Sequence, residues 1–264
     1  MIYKRYLTQW LSCAPWPNLA QTEQDLVLSR VITEIYQNDF LRDNLVFRGG
    51  TALHKLFFSP PLRYSEDIDL VQFKEGPIGN IITVLRKTLD PWLGKPKWKQ
   101  SQGRFTLYYG FETESSPIQK MKIKIEINTR EHDSFLPLLD VPFSVGNGWF
   151  SGEAMVRTYC LEELLATKLR ALYQRRKGRD LFDLDQAFLL YPKIDCLKLI
   201  ACFQYYLMRE QRNIARTAFE ENIALKLQDP IFQEDIRPLI SAKLVYDPRV
   251  AYEHLHNRLI QLLP

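Results

Sequence analysis

The chain has 264 residues, of which 46% are hydrophobic and 25% charged, and its formal net charge at pH 7 is +4. This composition excludes a wholly disordered chain, and the length suffices for one large domain or two smaller ones. No stretch approaches the roughly 20 apolar residues of a membrane-spanning helix, so no membrane partner is expected. The four cysteines form no Cys-x-x-Cys pair and no signal-like leader opens the chain, which favours a reducing cytoplasm.

The first half of the chain alternates between helical and strand patterns, and Thr22 is the candidate N-cap of its first helix. Two adjacent glycines, Gly49 and Gly50, stand between a strand and a helical pattern and predict a tight turn that a ligand can approach closely. The predicted elements are a helix over 22–38, strands over 45–47 and 66–73, a helix over 78–90, a loop with several lysines, and strands over 104–112 and 120–128.

From about residue 154 the pattern becomes mainly helical. A last strand over 155–160 precedes predicted helices over 161–176, 180–191, 195–211, 213–228 and 249–262. We therefore predict an α+β protein, in which a lobe with a mixed sheet over 1–157 is followed by a mainly helical C-terminal lobe over 158–264.

Asp67 and Asp69 lie two positions apart in the second predicted strand. Strand periodicity turns both carboxylates to one face and Ile68 and Leu70 to the other. Two like charges held so close repel each other unless a cation lies between them, and hard carboxylate oxygens suit Mg²⁺ or Mn²⁺. The pattern therefore indicates a divalent-metal site, and the alternative is a solvated sheet face or a turn.

A third carboxylate, Glu126, lies in a strand that alternates strictly between isoleucines and polar residues over 122–128. If this strand lies beside the strand of Asp67, Glu126 completes a three-carboxylate site of the kind that holds two cations in phosphoryl chemistry. The alternative is an antiparallel sheet with one wet face.

The Gly-Gly-Thr turn offers backbone N–H groups from Gly50 and Thr51 near the start of a helix, where phosphate oxygens are favourably bound. Thr51 also offers a hydroxyl donor. The segment is not a P-loop, because the third glycine and the Lys-Ser/Thr ending are missing. A plain turn is the alternative interpretation.

A lysine interrupts an apolar stripe in the helix predicted from residue 161. Lys168 lies four positions from leucines on either side, so its ammonium either reaches past the stripe to solvent or points into a cleft. Arg175 projects from the same side. Six basic residues and no acid occur from Lys168 to Arg179, which indicates a positive arc suited to a triphosphate or an RNA backbone. The alternative is a solvated helix end whose cations complement the helix dipole.

Asp180 and Asp183 follow directly in the segment Gly-Arg-Asp-Leu-Phe-Asp-Leu, one helical turn apart. Asp180 is either simply favoured at the start of a helix, or it pairs with Lys168 or Arg179 and fixes the cation that touches a triphosphate.

Three segments together resemble one family: RGGTALHKLFF from Arg48, RYSEDIDL from Arg63 and LLATKLRALYQRRKGRDLFDL from Leu164. They resemble the AbiEii nucleotidyltransferases, the toxin half of a bacterial abortive-infection toxin–antitoxin system, to which the MenT toxins are related. The resemblance covers about residues 45–190 and implies a DNA polymerase β-like nucleotidyltransferase fold. Thr51 stands where the broader superfamily commonly has serine.

The resemblance implies a role for each matching residue, with Lys168 and Asp180 contributed by the C-terminal lobe. The implied catalytic residues are Asp67, Asp69, Lys168 and Asp180. The implied nucleotide-binding residues are Gly50, Thr51 and Lys168, and we add Gly49, Ser65, Arg175 and Arg179 as further nucleotide-binding candidates. The metal ligands are expected to be Asp67 and Asp69, with Glu126 added on its strand pattern.

The expected activity is transfer of a nucleotide from a nucleoside triphosphate, with Mg²⁺ or Mn²⁺, to an acceptor that the resemblance suggests is the 3′ end of tRNA. A cognate AbiEi-type antitoxin and a role in phage defence are implied in the same way. Trp98 with Lys95, Lys97 and Lys99 offers a surface that can grip RNA. The alternatives are a protein or small-molecule acceptor, such as an antibiotic, and a non-catalytic nucleotide-binding interaction protein.

Overall fold

The structure is a computed structural model that describes residues 2–114, 117–241 and 244–264. The chain folds as two units, Met1–Tyr159 and Cys160–Pro264. The first carries a mixed seven-stranded sheet and helices, and the second is helical, so the predicted α+β class is confirmed. Within the described ranges, no helix is both long and apolar enough to cross a membrane.

The first unit begins with helices and then builds its sheet. Its helices are α1 (Lys4–Trp10), α2 (Leu19–Gln37), α3 (Asp39–Asn44), α4 (Gly49–Ala52, continued by a π-helical turn over Leu53–Phe57) and α5 (Gly79–Leu93). Its strands are β1 (Leu45–Arg48), β2 (Asp67–Gln72), β3 (Lys97–Ser101), β4 (Arg104–Glu112), β5 (Lys120–Asn128), β6 (Leu139–Gly146) and β7 (Ser151–Thr158).

The strand order of the sheet is β3-β4-β5-β2-β1-β7-β6. The pairs β2–β5 and β1–β7 are parallel, and the other neighbours are antiparallel. Alternate residues of β5 are fully buried, namely Ile123, Ile125 and Ile127, and α2 packs against this strand. Because side chains alternate along a strand, the polar residues between these isoleucines share the opposite face, which is the face that carries Asp67 and Asp69.

Two local predictions in this unit are wrong. Helix α2 begins at Leu19, because the Asn18 side chain accepts a hydrogen bond from the Ala20 N–H, whereas Thr22 lies inside the helix and donates to the Ala14 carbonyl. The predicted lysine-containing loop is also partly regular. Five of its residues, Lys97–Ser101, form β3, which is exposed throughout and is held by pairing with β4 instead of by an apolar pattern.

The second unit consists of helices and short helical turns. Its helices are α6 (Leu161–Gln174), α7 (Gly178–Leu190), α8 (Cys196–Arg209), α9 (Arg216–Lys226), α10 (Pro230–Glu234) and α11 (Pro248–Arg258), with 3-10 turns over Arg237–Leu239 and Ile260–Leu262. Helix α6 packs on α7 and α8. The predicted leucine stripe of α6 forms this contact, since four of its leucines are almost completely buried, namely Leu164, Leu165, Leu169 and Leu172.

Candidate functional site

The turn between β1 and α4 requires a glycine for two reasons. Gly49 has a φ of +83°, which lies in the left-handed region that favours glycine. A Cβ at this position would also overlap the Asp69 Oδ2 atom. The turn and the second aspartate therefore fit together only while position 49 carries no side chain.

Thr51 lies in α4 and connects this turn to β2. Its hydroxyl lies 2.8 Å from the Ser65 hydroxyl and donates to the backbone carbonyl of Asp67 at 2.5 Å. The side chain is 1% exposed. These contacts give Thr51 and Ser65 a positioning role on the strand of the aspartates, whereas their contacts with a nucleotide stay predictions.

The three predicted carboxylates lie on neighbouring strands. Asp67 and Asp69 project from the same face of β2, and the register pairs Asp69 with Glu126 of β5. The adjacency on which the interpretation of Glu126 depended is therefore present. Strand β5 runs parallel to β2 and antiparallel to β4, so a metal-binding role of Glu126 stays a prediction beside the alternative of an amphipathic strand with a wet face.

The charges of this face are strongly coupled. Burial, and then the nearby charge of Asp67, raise the pKa of Asp69 above its usual range, although Arg48 opposes this. Lys124 Nζ lies 3.2 Å from Asp67 Oδ2 and 3.1 Å from Glu126 Oε2. Burial lowers the pKa of Lys124, but the two carboxylates outweigh it and raise the pKa above its usual value. Asp67 and Glu126 thus share Lys124 as their counter-ion.

Asp67 and Asp69 fit a divalent cation in their chemistry, because they offer hard oxygen donors on one face and carry a mutual repulsion that a cation relieves. Glu126 fits less directly. Its carboxylate already binds Lys124 and, at 3.0 Å, Arg104. Accordingly, within residues 2–114, 117–241 and 244–264 no three acidic, histidine or cysteine side chains converge closely enough to hold an ion.

The second unit contains a buried ionic cluster around Lys168. The ammonium lies 3.2 Å from Asp180 Oδ1 and 2.8 Å from Asp183 Oδ2, and both carboxylates are fully buried. Arg175 adds two hydrogen bonds to Asp180, of 2.6 and 2.8 Å. Burial alone would raise the pKa of Asp180, but Lys168 and Arg175 outweigh it and lower the pKa below its usual value.

Acids from elsewhere in the second unit compensate the predicted positive arc. Beyond the Lys168 cluster, its four other members form the ion pairs Arg170–Glu210, Arg176–Asp229, Lys177–Asp235 and Arg179–Asp235. Of the two predicted pairings of Asp180, the one with Lys168 forms, since Arg179 binds Asp235 instead. These ion pairs mean that the run of basic residues is not an uncompensated positive surface. The local pattern did not show this, because the acids lie far away in sequence.

Sequence reasoning missed four residues near the carboxylates. Lys124 was detectable, because the alternation of β5 places it on the same face as Glu126. Arg48 forms an ion pair with Glu131 beside the Gly49 turn, and Arg104 binds Glu126. No local pattern links these partners, since the sheet topology alone brings them together.

Comparison with known proteins agrees with this arrangement. The structure aligns with MenT4, a nucleotidyltransferase toxin from Mycobacterium tuberculosis, at a TM-score of 0.69 and 16% identity, over 98% of this chain and 88% of that one. It also aligns with JHP933 from Helicobacter pylori at a TM-score of 0.57 and 17% identity, over 94% and 92% of the two chains. These likenesses show the nucleotidyltransferase fold.

At the sequence level, no curated protein matches the chain significantly. A family model does: the model of the nucleotidyl transferase AbiEii toxin of type IV toxin–antitoxin systems matches residues 30–253. The match includes the Gly-Gly-Thr turn, the aspartate strand and the Lys168 cluster. The chain therefore belongs to the AbiEii family of nucleotidyltransferase toxins.

Proposed function

We propose that the protein transfers a nucleotide from a nucleoside triphosphate to the 3′ hydroxyl of an RNA, with tRNA as the natural acceptor, in a metal-dependent reaction. The observation that carries the proposal is the fit between Gly49 and Asp69, which places two same-face carboxylates against a left-handed turn at the start of a helix. Family membership supplies the reaction class.

The proposed reaction is an in-line displacement at the α-phosphorus. The acceptor oxygen forms a bond to this phosphorus, the bond to the bridging oxygen of the β-phosphate breaks, and pyrophosphate leaves with the bonding electrons. The hydroxyl proton passes to solvent or to a nearby carboxylate. The backbone N–H groups of Gly50 and Thr51 are proposed to bind the triphosphate, and Ser65 holds Thr51 in place for this.

Asp67 and Asp69 would hold the divalent cation, which supplies charge neutralisation for the triphosphate when bound. Glu126 remains a prediction as a third ligand, since Lys124 and Arg104 must first release its carboxylate. Before the cation binds, Lys124 forms an ion pair with both Asp67 and Glu126. Once the cation binds, the Lys124 ammonium is available to a phosphate oxygen, which is the kind of acceptor it prefers.

In the second unit, Arg175 and Lys168 are proposed to divide the phosphate-binding role. The Arg175 side chain is 52% exposed, whereas Lys168 is 7% exposed and held by two buried aspartates. We propose that Arg175 contacts the triphosphate and that Asp180 and Lys168 orient its guanidinium. The implied contact of Arg179 stays a prediction, because Asp235 already binds this side chain.

The toxin role follows from the family, which also implies a cognate antitoxin as partner. Modification of tRNA 3′ ends would stop translation, so we propose that expression without the antitoxin arrests growth. A function in phage defence is proposed on the same family basis.

The test is incubation of the full-length protein with each α-³²P-labelled nucleoside triphosphate, GTP included, together with Mg²⁺ and separate pools of tRNA, protein and small molecules. The wild type is compared with Asp69→Asn and with the matched control Asp39→Asn, whose exposed carboxylate lies on α3. We expect label on tRNA from the wild type and the control and a loss of at least a hundredfold with Asp69→Asn, the order of magnitude for removal of one electrostatic group of an active site.

The other outcomes are equally informative. Label on protein or on a small molecule would replace RNA as the acceptor. Binding of nucleoside triphosphates without transfer to any pool would contradict the enzymatic proposal and favour a nucleotide-binding interaction protein.

A further inference from the structure

The register of the sheet extends the carboxylate face across three strands to an exposed edge. Asp69 pairs with Glu126, Glu126 with Thr106, and Thr106 with Lys99. The neighbouring row runs from Asp67 through Lys124 and Tyr108 to Lys97. Residues directly opposite each other on paired strands point to the same face. Lys97 and Lys99 therefore share a face with the catalytic aspartates.

The exposed end of this face is positively charged. Lys97 and Lys99 are exposed on the edge strand β3, and the exposed Lys122 of β5 belongs to the same face. Neighbouring strands lie about 4.8 Å apart, so three strand spacings place the two lysines about 14 Å from the aspartates. Stacked nucleotides advance about 3.4 Å each along one strand, so this distance corresponds to about four nucleotides.

Trp98 takes no part in this face. It pairs with Leu107, which is fully buried on the apolar face, and its ring stacks on Phe105 at 5.7 Å with an interplanar angle of 12°. The RNA-gripping cluster suggested by the sequence is therefore divided between two faces of β3. Lys97 and Lys99 project from the sheet face that carries the carboxylates, and Trp98 projects from the opposite face.

The basic run of the second unit is a weaker candidate for RNA. Its six cations are paired with acids, as described above, and two of the acids are completely buried. A phosphate has to compete with these carboxylates for each cation, at a cost in desolvation and lost hydrogen bonds. The exposed lysines of β3 offer their charge in solvent, where counterion release drives binding of a nucleic-acid backbone.

We propose that Lys97 and Lys99 bind the backbone phosphates of a single-stranded 3′ end, about four nucleotides upstream of the reacting hydroxyl. This inference rests on the proposed RNA acceptor and adds a length requirement to it. A 3′ overhang that reaches from the aspartates to β3 gains both contacts, whereas an acceptor of one or two nucleotides gains neither.

The test uses the full-length protein and two chemically defined RNA acceptors: a duplex with a four-nucleotide single-stranded 3′ overhang, and a dinucleotide. The variant is Lys97→Gln/Lys99→Gln. The matched control is Lys74→Gln/Lys87→Gln, which makes the same charge change at exposed residues outside the polar face of the sheet. KM and kcat are measured for both acceptors, and KM for the overhang is followed against salt concentration.

The expected result is a rise in KM on the order of tenfold for the overhang acceptor with little change in kcat, because lysine–phosphate contacts supply affinity and take no part in the reaction. The slope of log affinity against log salt should fall by about 1.4, which is about 0.7 for each lost contact on a single strand. The control and all measurements on the dinucleotide should match the wild type.

Two results would overturn the inference while leaving the proposed function intact: an unchanged KM for the overhang acceptor, or an equal rise for the dinucleotide or in the control variant. A wild type that labels no RNA of either kind would instead refute the proposed RNA acceptor, and the inference with it.

Discussion

Replacement of Lys168 by methionine separates the structural role of this lysine from its implied catalytic role. The substitution keeps the length of the apolar stem but removes the ammonium that lies 2.8 Å from Asp183 and 3.2 Å from Asp180, both fully buried. Removal of one partner from a buried ion pair costs about 3–5 kcal/mol, because the remaining charge stays in a poorly solvating interior. Arg175 still binds Asp180, so we expect about 3 kcal/mol, at the lower end of this range.

The cost should depend on pH in a defined direction. In the wild type, the pKa of Asp180 is lowered, so its stabilisation is complete above the unfolded value of about 3.9 and is lost only as pH falls through the lower folded value. In the variant, the cation that lowers the pKa of Asp180 most is gone while its burial remains, so the folded pKa of Asp180 rises. Protonation then relieves the penalty, so the loss in unfolding free energy should be smaller at pH 5 than at pH 7.5.

Hydrogen–deuterium exchange of the α6 and α7 amides is the suitable assay. All five tryptophans lie in the first unit, so tryptophan fluorescence does not report on the second. A loss of about 3 kcal/mol corresponds to roughly a hundredfold faster exchange through opening of the unit. The control is Lys198→Met, whose pair with Asp195 is half-exposed at 4.0 Å and should contribute at most about 1 kcal/mol.

A second variant keeps the test decisive if Lys168→Met fails to fold. Lys168→Met/Asp183→Asn removes one of the buried charges together with the lysine and should recover part of the protection. Exchange at pH 7.5 that differs from the wild type by less than about fivefold, or a loss that does not shrink at pH 5, would refute the reasoning. Transfer activity that disappears in a fully protected variant would show that Lys168 serves the reaction, by contact with the nucleotide or by orienting Arg175, and not only the fold.

The remaining predictions concern the first unit. Gly49→Ala should lower the transfer rate on the order of a hundredfold, because the added Cβ displaces Asp69. The control Gly94→Ala has a similar positive φ of +77° but open space around it, so its rate should stay near wild type, and equal losses would contradict the steric argument. Thr51→Val should lower the unfolding free energy by about 1–3 kcal/mol in urea denaturation followed by tryptophan fluorescence, because it leaves the Asp67 carbonyl without its donor, whereas Thr51→Ser should cost far less. Trp98→Ala should change KM for the overhang RNA less than twofold in the acceptor assay; a large rise would place the tryptophan, contrary to its strand register, in contact with the acceptor.

The sequence alone determined those features that local periodicity encodes. The patterns over 104–112 and 120–128 predicted two strands with the bounds that the structure has, because one face of each must be apolar to be buried. The same rule placed Asp67 and Asp69 on one face. The Gly-Gly turn was recognisable because its left-handed backbone conformation strongly favours glycine, and the segments around it were distinctive enough to identify the family.

Tertiary structure decided which partners these residues have. Strand β3 carries no apolar alternation, and no local pattern encodes its pairing with β4. That pairing decides that Lys97 and Lys99 lie on the same sheet face as the aspartates, whereas Trp98 lies on the opposite face. The six basic residues from Lys168 onward form an uncompensated run in sequence, yet acids up to 58 residues away pair with them once the helices pack. Periodicity specifies the face on which a side chain lies, whereas long-range packing decides which charged groups lie next to it there. Those groups decide whether a lysine is held in an ion pair that stabilises the fold or remains available to a ligand.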